Sequence, residues 1–360
     1  PVFDQQHKFY SDKIEASPVK DEHYFFRKHL LADEMAFYLA PRDPNTNLPH
    51  LQYSMDNFLK YSLIKLLKFY NIMLHEKKQN NFDYEMHMLD EVLFYINKNK
   101  NEDNPTLLIY YYIIMLEKEK QSEYFFELKK LKDKFFDELA RKDQYMLFLH
   151  MAGYCAYVFN VLGKSDFMRE HFLLSKENFD KGTIKLGHII YMDFLNHVKV
   201  AVRVDEFEWA ERYINQYTEA LNEEKQSTLN FCYGYINYKK GDLDKALDLL
   251  SRANFPNFII KIQVKILLLQ VYFEKEYYEQ ALAMIDTFRH YLLREKSIVE
   301  DFKDSFYEYL RIINDLIKIK TGLLSENREF DLKRIKEDVE KIRFNQFGIK
   351  MWLRERVKMI

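Results

Sequence analysis

The residues best suited to chemistry in this chain are three aspartate and histidine pairs that share one spacing. In each pair the histidine follows the aspartate by four residues; the pairs are Asp83 with His87, Asp193 with His197, and Asp286 with His290. On an α-helix this spacing places both side chains on one face, where a carboxylate could orient an imidazole as a base or as half of a metal site. A di-metal centre in a helix bundle also needs Glu-x-x-His motifs, and the sequence contains none. We therefore expect exposed helical pairs, each worth about 0.2–0.5 kcal/mol to its helix.

Sequence motifs for phosphate binding and for hydrolysis are also missing. The chain has no P-loop with its terminal Gly-Lys-Ser or Gly-Lys-Thr, no Gly-x-Gly-x-x-Gly, no Gly-x-Ser-x-Gly and no His-Glu-x-x-His. With only 8 glycines in 360 residues, a backbone cradle for phosphate is difficult to build. The sequence predicts a protein that is not an enzyme and that holds neither a cofactor nor a metal ion.

The two cysteines and the longest apolar run bear on where the protein resides. Cys155 and Cys232 lie in apolar helical contexts without a second pair for a zinc site, so we expect buried, reduced thiols. The longest uninterrupted apolar run, 107–116, is shorter than the roughly 20 residues that span a bilayer. The chain begins Pro-Val-Phe-Asp without a basic and apolar leader, although a start at Pro1 leaves open that an N-terminal part is absent. A cytoplasmic protein is expected.

The C-terminal fifty residues are more basic than the rest. The net charge of the whole chain is −2, whereas residues 311–360 hold 13 Lys and Arg against 8 Asp and Glu. Four cations stand beside Trp352 and Phe347 in a mixture that could bind phosphate and stack on a base: Lys350, Arg354, Arg356 and Lys358. A capping helix with a solvated face explains the same residues, and we favour that interpretation because a solenoid needs a polar outer cap.

A helix pair between residues 228 and 253 gives the clearest structural signal. Large apolar residues recur at helical spacing over 228–238, and Gly241 after two lysines predicts the helix end. Asp242 is the expected N-cap of a second helix with an apolar stripe. The short turn predicts antiparallel helices, and the small residues Gly234 and Ala246 let their axes approach closely.

The helix pair recurs at a period near 35. The alanines Ala210, Ala246 and Ala281 are separated by 36 and 35 residues, and each follows an apolar residue by three positions. The small residues Gly234, Ala246 and Ala253 match the small positions of the tetratricopeptide repeat, so the segment resembles that family. The resemblance is good for one repeat, and the flanking units depart from it at Val198 and Leu269, where a small residue belongs. It implies an all-α chain folded as a right-handed, tetratricopeptide-like α-solenoid.

Composition supports the all-α class, because few glycines and 7 prolines leave little turn material beyond what separates long helices. A first helix is predicted over 21–39, followed by a loop of prolines and asparagines up to Pro49, and 107–116 is expected to be the most enclosed helix of the N-terminal half. The expected organisation is an N-terminal helix and loop (1–50), divergent helical hairpins (51–145), tetratricopeptide-like repeats (146–294) and C-terminal capping helices with a basic end (295–360).

The resemblance also implies which residues would face a partner. Carried over by position, they are Lys199, Arg203, Phe231, Tyr235, Tyr238, Lys239, Gln270 and Glu274; we call these eight residues the predicted binding face. Cations and aromatic rings dominate, so a peptide or partner helix with acidic and apolar side chains would be complementary. The alternative is that neighbouring helices partly cover these residues.

The expected function is that of a non-enzymatic protein interaction scaffold. A clamp for a C-terminal carboxylate is disfavoured, because Lys199 and Tyr235 stand where such a clamp has asparagine. A nucleic-acid-associated accessory subunit that uses the basic C-terminal end remains an alternative, and so does a peptide-responsive bacterial signalling regulator.

Overall fold

The computed structural model describes residues 2–42, 44–80, 83–100, 104–182, 189–221, 223–323 and 328–360. Within these ranges the chain is helical and forms no strand, apart from an isolated bridge between Ile189 and Leu221. The predicted α class is therefore confirmed. Of the helices in these ranges, none combines the length and the apolar character needed to cross a bilayer.

The chain divides into two compact units, residues 1–154 and 155–360. Unit 1 contains α1 (Val2–Glu15), α2 (Glu22–Leu39), α3 (Pro44–Asn80), α4 (Leu89–Lys98), α5 (Pro105–Glu119), α6 (Ser122–Phe135) and the first part of α7 (Arg141–Asn160). The division falls inside α7.

The beginning of the chain differs from the sequence prediction. Helix α1 precedes the predicted first helix, and the loop expected up to Pro49 is wrong, because α3 begins at Pro44 and continues through Pro49. A proline at the first helical position loses nothing, since that N–H has no partner within a helix. Pro49 removes one hydrogen bond near the start of α3, which packs along α2 over much of its length. This packing outweighs the local preference for a turn.

Helix α5 forms the interior of unit 1, as predicted. Pro105 is its first residue, and the side chain of Asn104 accepts a hydrogen bond from the backbone N–H of Leu107. Ile109, Ile113 and Ile114 are fully buried, and α5 packs against α3 and α6. A helix that is apolar on all sides has no face to present to water, so its neighbours must surround it.

Unit 2 contains the remaining helices and the repeat segment. They are α8 (Met168–Asp180), α9 (Tyr191–Arg203), α10 (Phe207–Tyr217), α11 (Lys225–Lys240), α12 (Leu243–Ser251), α13 (Phe258–Glu274), α14 (Tyr278–Arg294), α15 (Glu300–Lys320), α16 (Arg328–Lys341) and α17 (Ile349–Met359).

The predicted pair of helices is present as α11 and α12. Gly241 ends α11 in the left-handed region, with φ of +86°, and the Asp242 side chain caps α12 by accepting a hydrogen bond from the backbone N–H of Lys245. A Cβ atom added at Gly234 would lie 2.8 Å from Cγ of Leu250. Glycine is therefore needed where the two helices cross, because a larger residue would push the buried Leu250 aside.

Successive helices of unit 2 pack against one another in order. Helix α9 packs against α10, α11 against α12, and α13 against α14, while α11 also contacts α9 and α13. The first helices of consecutive pairs are therefore neighbours. One apolar core, which includes Phe194, Phe231 and Leu250, runs through α9 to α13.

Candidate partner-binding site

The predicted binding face lies mostly in the interior of unit 2. Phe231, Tyr235, Tyr238, Gln270 and Lys199 are all buried. Arg203 and Glu274 are half-buried, and Lys239 is exposed. The expectation of an open lining is thus corrected for the five buried residues, because neighbouring helices cover them as the alternative interpretation supposed.

Glu274 is the centre of a hydrogen-bond network that joins three helices. Its Oε1 atom accepts from the Tyr238 hydroxyl at 2.7 Å and from the indole N–H of Trp352 at 2.8 Å. The same indole N–H lies 2.9 Å from the Tyr238 oxygen, and an Nη atom of Arg356 lies 3.5 Å from Glu274. Burial, with a further contribution from Glu274, raises the pKa of Tyr238 well above its ordinary value, so the hydroxyl stays protonated and donates.

The C-terminal helix α17 therefore lies on part of the predicted binding face. It buries Ile349, Trp352, Leu353 and Val357. The sequence prediction treated the C-terminal capping helix and the predicted binding face as separate segments. It missed that Trp352 of α17 contacts Tyr238 and Glu274 of the predicted binding face. The available signal was the apolar side of α17, which needs a surface to cover it.

Asn345 fixes the chain just before α17. It is fully buried, its amide donates to the carbonyl of Phe159 at 3.0 Å, and its carbonyl oxygen accepts from the backbone N–H groups of Lys350 and Met351. These N–H groups belong to the first turn of α17, where a helix offers no internal acceptors. A single buried amide thus both caps α17 and attaches it to the end of α7.

The four basic residues predicted as nucleic-acid contacts are mostly engaged within unit 2. Lys350 donates to the carbonyls of Glu340 and Ile342 at the end of α16. Arg354 makes two hydrogen bonds to the Glu340 carboxylate, at 2.7 and 2.6 Å, and Arg356 lies beside Glu274. Lys358 is exposed on α17.

Lys199 and Arg203 lie one turn apart on α9 and form a different arrangement. The buried Lys199 ammonium donates to Oε1 of Gln263 at 2.8 Å, and the Arg203 guanidinium lies 4.4 Å from the ring centroid of Phe159. Burial, followed by repulsion from Arg203, lowers the pKa of Lys199 from 10.5 to about 7. Within the described part of the chain, no carboxylate lies within ion-pair distance of either cation.

The three aspartate and histidine pairs do not share one arrangement. Asp83 and His87 precede α4 and are not helical, which contradicts the shared helix face; Asp83 pairs with Lys77 instead. Asp286 and His290 form an exposed pair 3.6 Å apart, as expected. Among the described residues there is no group of three side chains that could hold a metal ion.

A cavity of about 350 Å³ between α1, α2 and α3 was not predicted from the sequence. Its polar side contains Lys28 and Glu15, whose charged atoms are 2.6 Å apart, and the Tyr24 hydroxyl also donates to Glu15. The opposite charges therefore balance each other, and the rest of the wall includes Ile14 and Leu31. The cavity therefore has paired charges, whereas Lys199 and Arg203 have no carboxylate beside them among the described residues.

Comparisons with known proteins give no indication of function. No protein-family model, curated protein sequence or solved structure matches the chain. Cys155 and Cys232 are both buried and are not joined in a disulfide, in agreement with the sequence prediction.

Proposed function

We propose that the chain is a non-enzymatic protein interaction scaffold that holds a peptide or a partner's helix against the first helices of a right-handed, tetratricopeptide-like α-solenoid. The observation that carries this proposal is the docking of α17, whose Trp352 donates its N–H to the Tyr238 and Glu274 pair. A surface that accepts an amphipathic helix of its own chain has the shape and the polar groups to accept another segment of that kind.

The packing order of unit 2 supports the solenoid part of the proposal. Helices α9, α11 and α13 are the first members of consecutive pairs and are neighbours of one another. In a stack of helix pairs each unit covers the apolar side of the next, and the first helices together form a long binding surface.

Helix α17 takes up the part of the predicted binding face formed by Tyr238 and Glu274. The half-buried Arg203 on α9 and the exposed Lys239 are left for a partner with acidic and apolar side chains, whereas Lys199 is buried. A cytoplasmic location is part of the same proposal, and two buried cysteines that are not joined in a disulfide support it.

A charge-reversal experiment tests the scaffold function. The tagged full chain, R203E/K239E and the control K245E are each used to capture partners from the source organism. Lys245 is an exposed lysine on α12, the second helix of its pair, and is not part of the predicted binding face. We expect one specific protein partner to be retained by the wild type and K245E and lost by R203E/K239E. Retention by all three proteins, or no specific partner for any, would overturn the proposal.

The nucleic-acid alternative is less well supported. It depends on Lys350, Arg354, Arg356 and Lys358, and the first three already make contacts within unit 2. A cation that is paired with a carboxylate must give up that contact before it neutralises a phosphate.

A further inference from the structure

A strip of exposed apolar side chains runs along one side of α3. It consists of Leu48, Leu51, Met55, Phe58, Phe69 and Ile72. The exposed fractions of Leu48, Met55 and Phe69 are 63%, 56% and 52%. The half-buried Ser62 and Lys65 lie within the strip. With these two included, the steps from residue 48 to residue 72 alternate between three and four positions, and we call the eight residues the α3 seam.

The α3 seam faces away from the interior of unit 1. On the opposite side of the helix Ile64, Leu67 and Asn71 are buried, and α2 and α5 pack against α3. The six apolar members of the seam leave on the order of 500 Å² exposed, which is the size of patch that marks an interaction site. Two such surfaces together reach about the 1,000 Å² of a specific interface.

The spacing of the α3 seam indicates what covers it. Alternating steps of three and four form the heptad pattern of a coiled coil, in which each side chain inserts between side chains of a second helix. From Leu48 to Ile72 the seam is about 36 Å long. The partner must therefore be a long helix with the same spacing, and α3 of a second copy has both properties.

Helix α2 places a carboxylate beside the seam. The Phe26 ring lies 4.9 Å from the Tyr61 ring, and the His29 ring lies 5.0 Å from the Phe58 ring, so α2 and α3 run antiparallel. Asp33 follows Phe26 by seven residues and shares its side of α2. Continued along the helix, this pairing puts the exposed Asp33 at the level of residue 55 of α3.

We propose that the chain forms a homodimer in which the α3 seam packs antiparallel against the α3 seam of a second copy. With the two-fold axis between residues 58 and 62, the large Phe58 ring faces the small Ser62 of the second copy. The outer layers then pair Leu51 with Phe69 and Leu48 with Ile72. Both copies use the same surface, as a two-fold interface requires.

Lys65, the charged member of the seam, favours the antiparallel direction. Its ammonium lies 5.4 Å from the Phe69 ring centroid, and among the described residues neither Lys65 nor Asp33 makes an ion pair. In a parallel pair, Lys65 would face Lys65 of the second copy, and the like charges would repel each other. In the antiparallel pair it faces Met55 instead, at the level of Asp33 of the second copy. The two-fold axis supplies this pair of opposite charges twice.

Sedimentation velocity of the full-length chain tests the dimer. The wild type is compared with F58E and with the matched control F94E, because Phe94 is an exposed phenylalanine on α4 outside the seam. We expect the wild type and F94E to be dimers at about 10 µM, and the dissociation constant of F58E to be at least about tenfold higher. Circular dichroism shows whether F58E keeps its helices.

Charge reversal tests the direction of pairing at low ionic strength. In K65E and in D33K the two facing groups carry like charges, so each variant should dimerise more weakly than the wild type. The double variant K65E/D33K restores opposite charges and should restore the dimer. Failure of this rescue would overturn the antiparallel arrangement.

Disulfide cross-linking tests the same arrangement independently. Under mild oxidation L51C/F69C should form a covalent dimer, whereas L51C and F69C alone should not. In a parallel pair residue 51 would face residue 51 of the second copy, so L51C alone would cross-link. That result would overturn the proposal.

Two further results would also overturn the homodimer: a wild type that is monomeric at about 100 µM, or a dimer that F58E leaves unchanged. A monomer whose captured protein partner is lost in F58E would assign the seam to that partner instead of a second copy. The dimer goes beyond the scaffold function, because α3 belongs to unit 1 and the predicted binding face to unit 2. R203E/K239E should therefore remain dimeric, so the two proposals can fail separately.

Discussion

At the scale of single residues, the fold buries the charged side chain of Lys199 in surroundings that disfavour its charged form. Its ammonium is buried beside Arg203, and the pKa falls from 10.5 to about 7. Between these two pH values the unfolded chain keeps a proton that the folded chain has released. The free energy of unfolding therefore rises with pH across this window, and below about pH 7 the full penalty of the buried charge is present.

Substitution K199M should remove this dependence on pH. Methionine has similar length and no charge, so we expect K199M to be more stable than the wild type at pH 7. The advantage should shrink as the pH rises toward 9, by up to about 1.4 kcal/mol per pH unit. Urea unfolding of both proteins at several pH values measures the difference, in which other titrating groups cancel. A K199M protein less stable than the wild type at pH 7 would contradict the expected penalty of the buried charge, because the hydrogen bond to Gln263 would then outweigh it.

At the scale of helices, the hydrogen bonds of Trp352 attach α17 to α11 and α13. In W352F the N–H donor is lost, and we expect the free energy of unfolding to fall by about 1–3 kcal/mol. Y238F and the double variant complete a mutant cycle, in which a coupling of about 0.5–3 kcal/mol is expected. W209F serves as a control, because Trp209 is also buried but has no hydrogen-bonded acceptor among the described residues. Additive effects of W352F and Y238F would show that the network does not hold α17.

The crossing of α11 and α12 gives a second test at this scale. In G234A the new methyl group would approach Leu250 to 2.8 Å, so we expect a loss of about 1–3 kcal/mol despite the better helix propensity of alanine. Gly153 in α7 has no atom within 4 Å of an added Cβ and is the matched control. G153A should stabilise the protein by up to about 1 kcal/mol. Chemical unfolding measures both changes, and equal effects at the two glycines would contradict the close approach.

The helices differ in how far the sequence could predict them. Gly241 and Asp242 predict the turn between α11 and α12, because the effect of each residue on the backbone is limited to its immediate neighbours in the chain. Pro49 misled the prediction, since a proline near a helix start is tolerated and packing against α2 decides. Trp352 meets Tyr238 across 114 residues of sequence, and no local pattern encodes such a contact. The sequence predicted the residues of the predicted binding face. It did not predict which of these residues other helices of the chain would cover.

At the scale of the whole molecule, charge distribution separates the two functional classes. The chain has 54 Lys and Arg against 56 Asp and Glu, so it has no overall positive field that would attract nucleic acid. Its basic C-terminal end is balanced locally by Glu340 and Glu274. A protein interaction scaffold needs only a local site, whereas affinity for nucleic acid grows with the number of phosphates that are neutralised.

We therefore expect the full chain to bind duplex DNA or single-stranded RNA only weakly, with a dissociation constant above about 10⁻⁴ M near physiological salt. Fluorescence anisotropy with labelled oligonucleotides measures this constant over a range of salt concentrations. K350Q/R354Q/R356Q/K358Q is compared with K358Q alone, because Lys358 is the exposed member of the set. Neither variant should change the weak binding. Micromolar binding with a steep dependence on salt, lost in the quadruple variant, would contradict this expectation and favour the nucleic-acid function, because the cations would then have left Glu340 and Glu274 for phosphates.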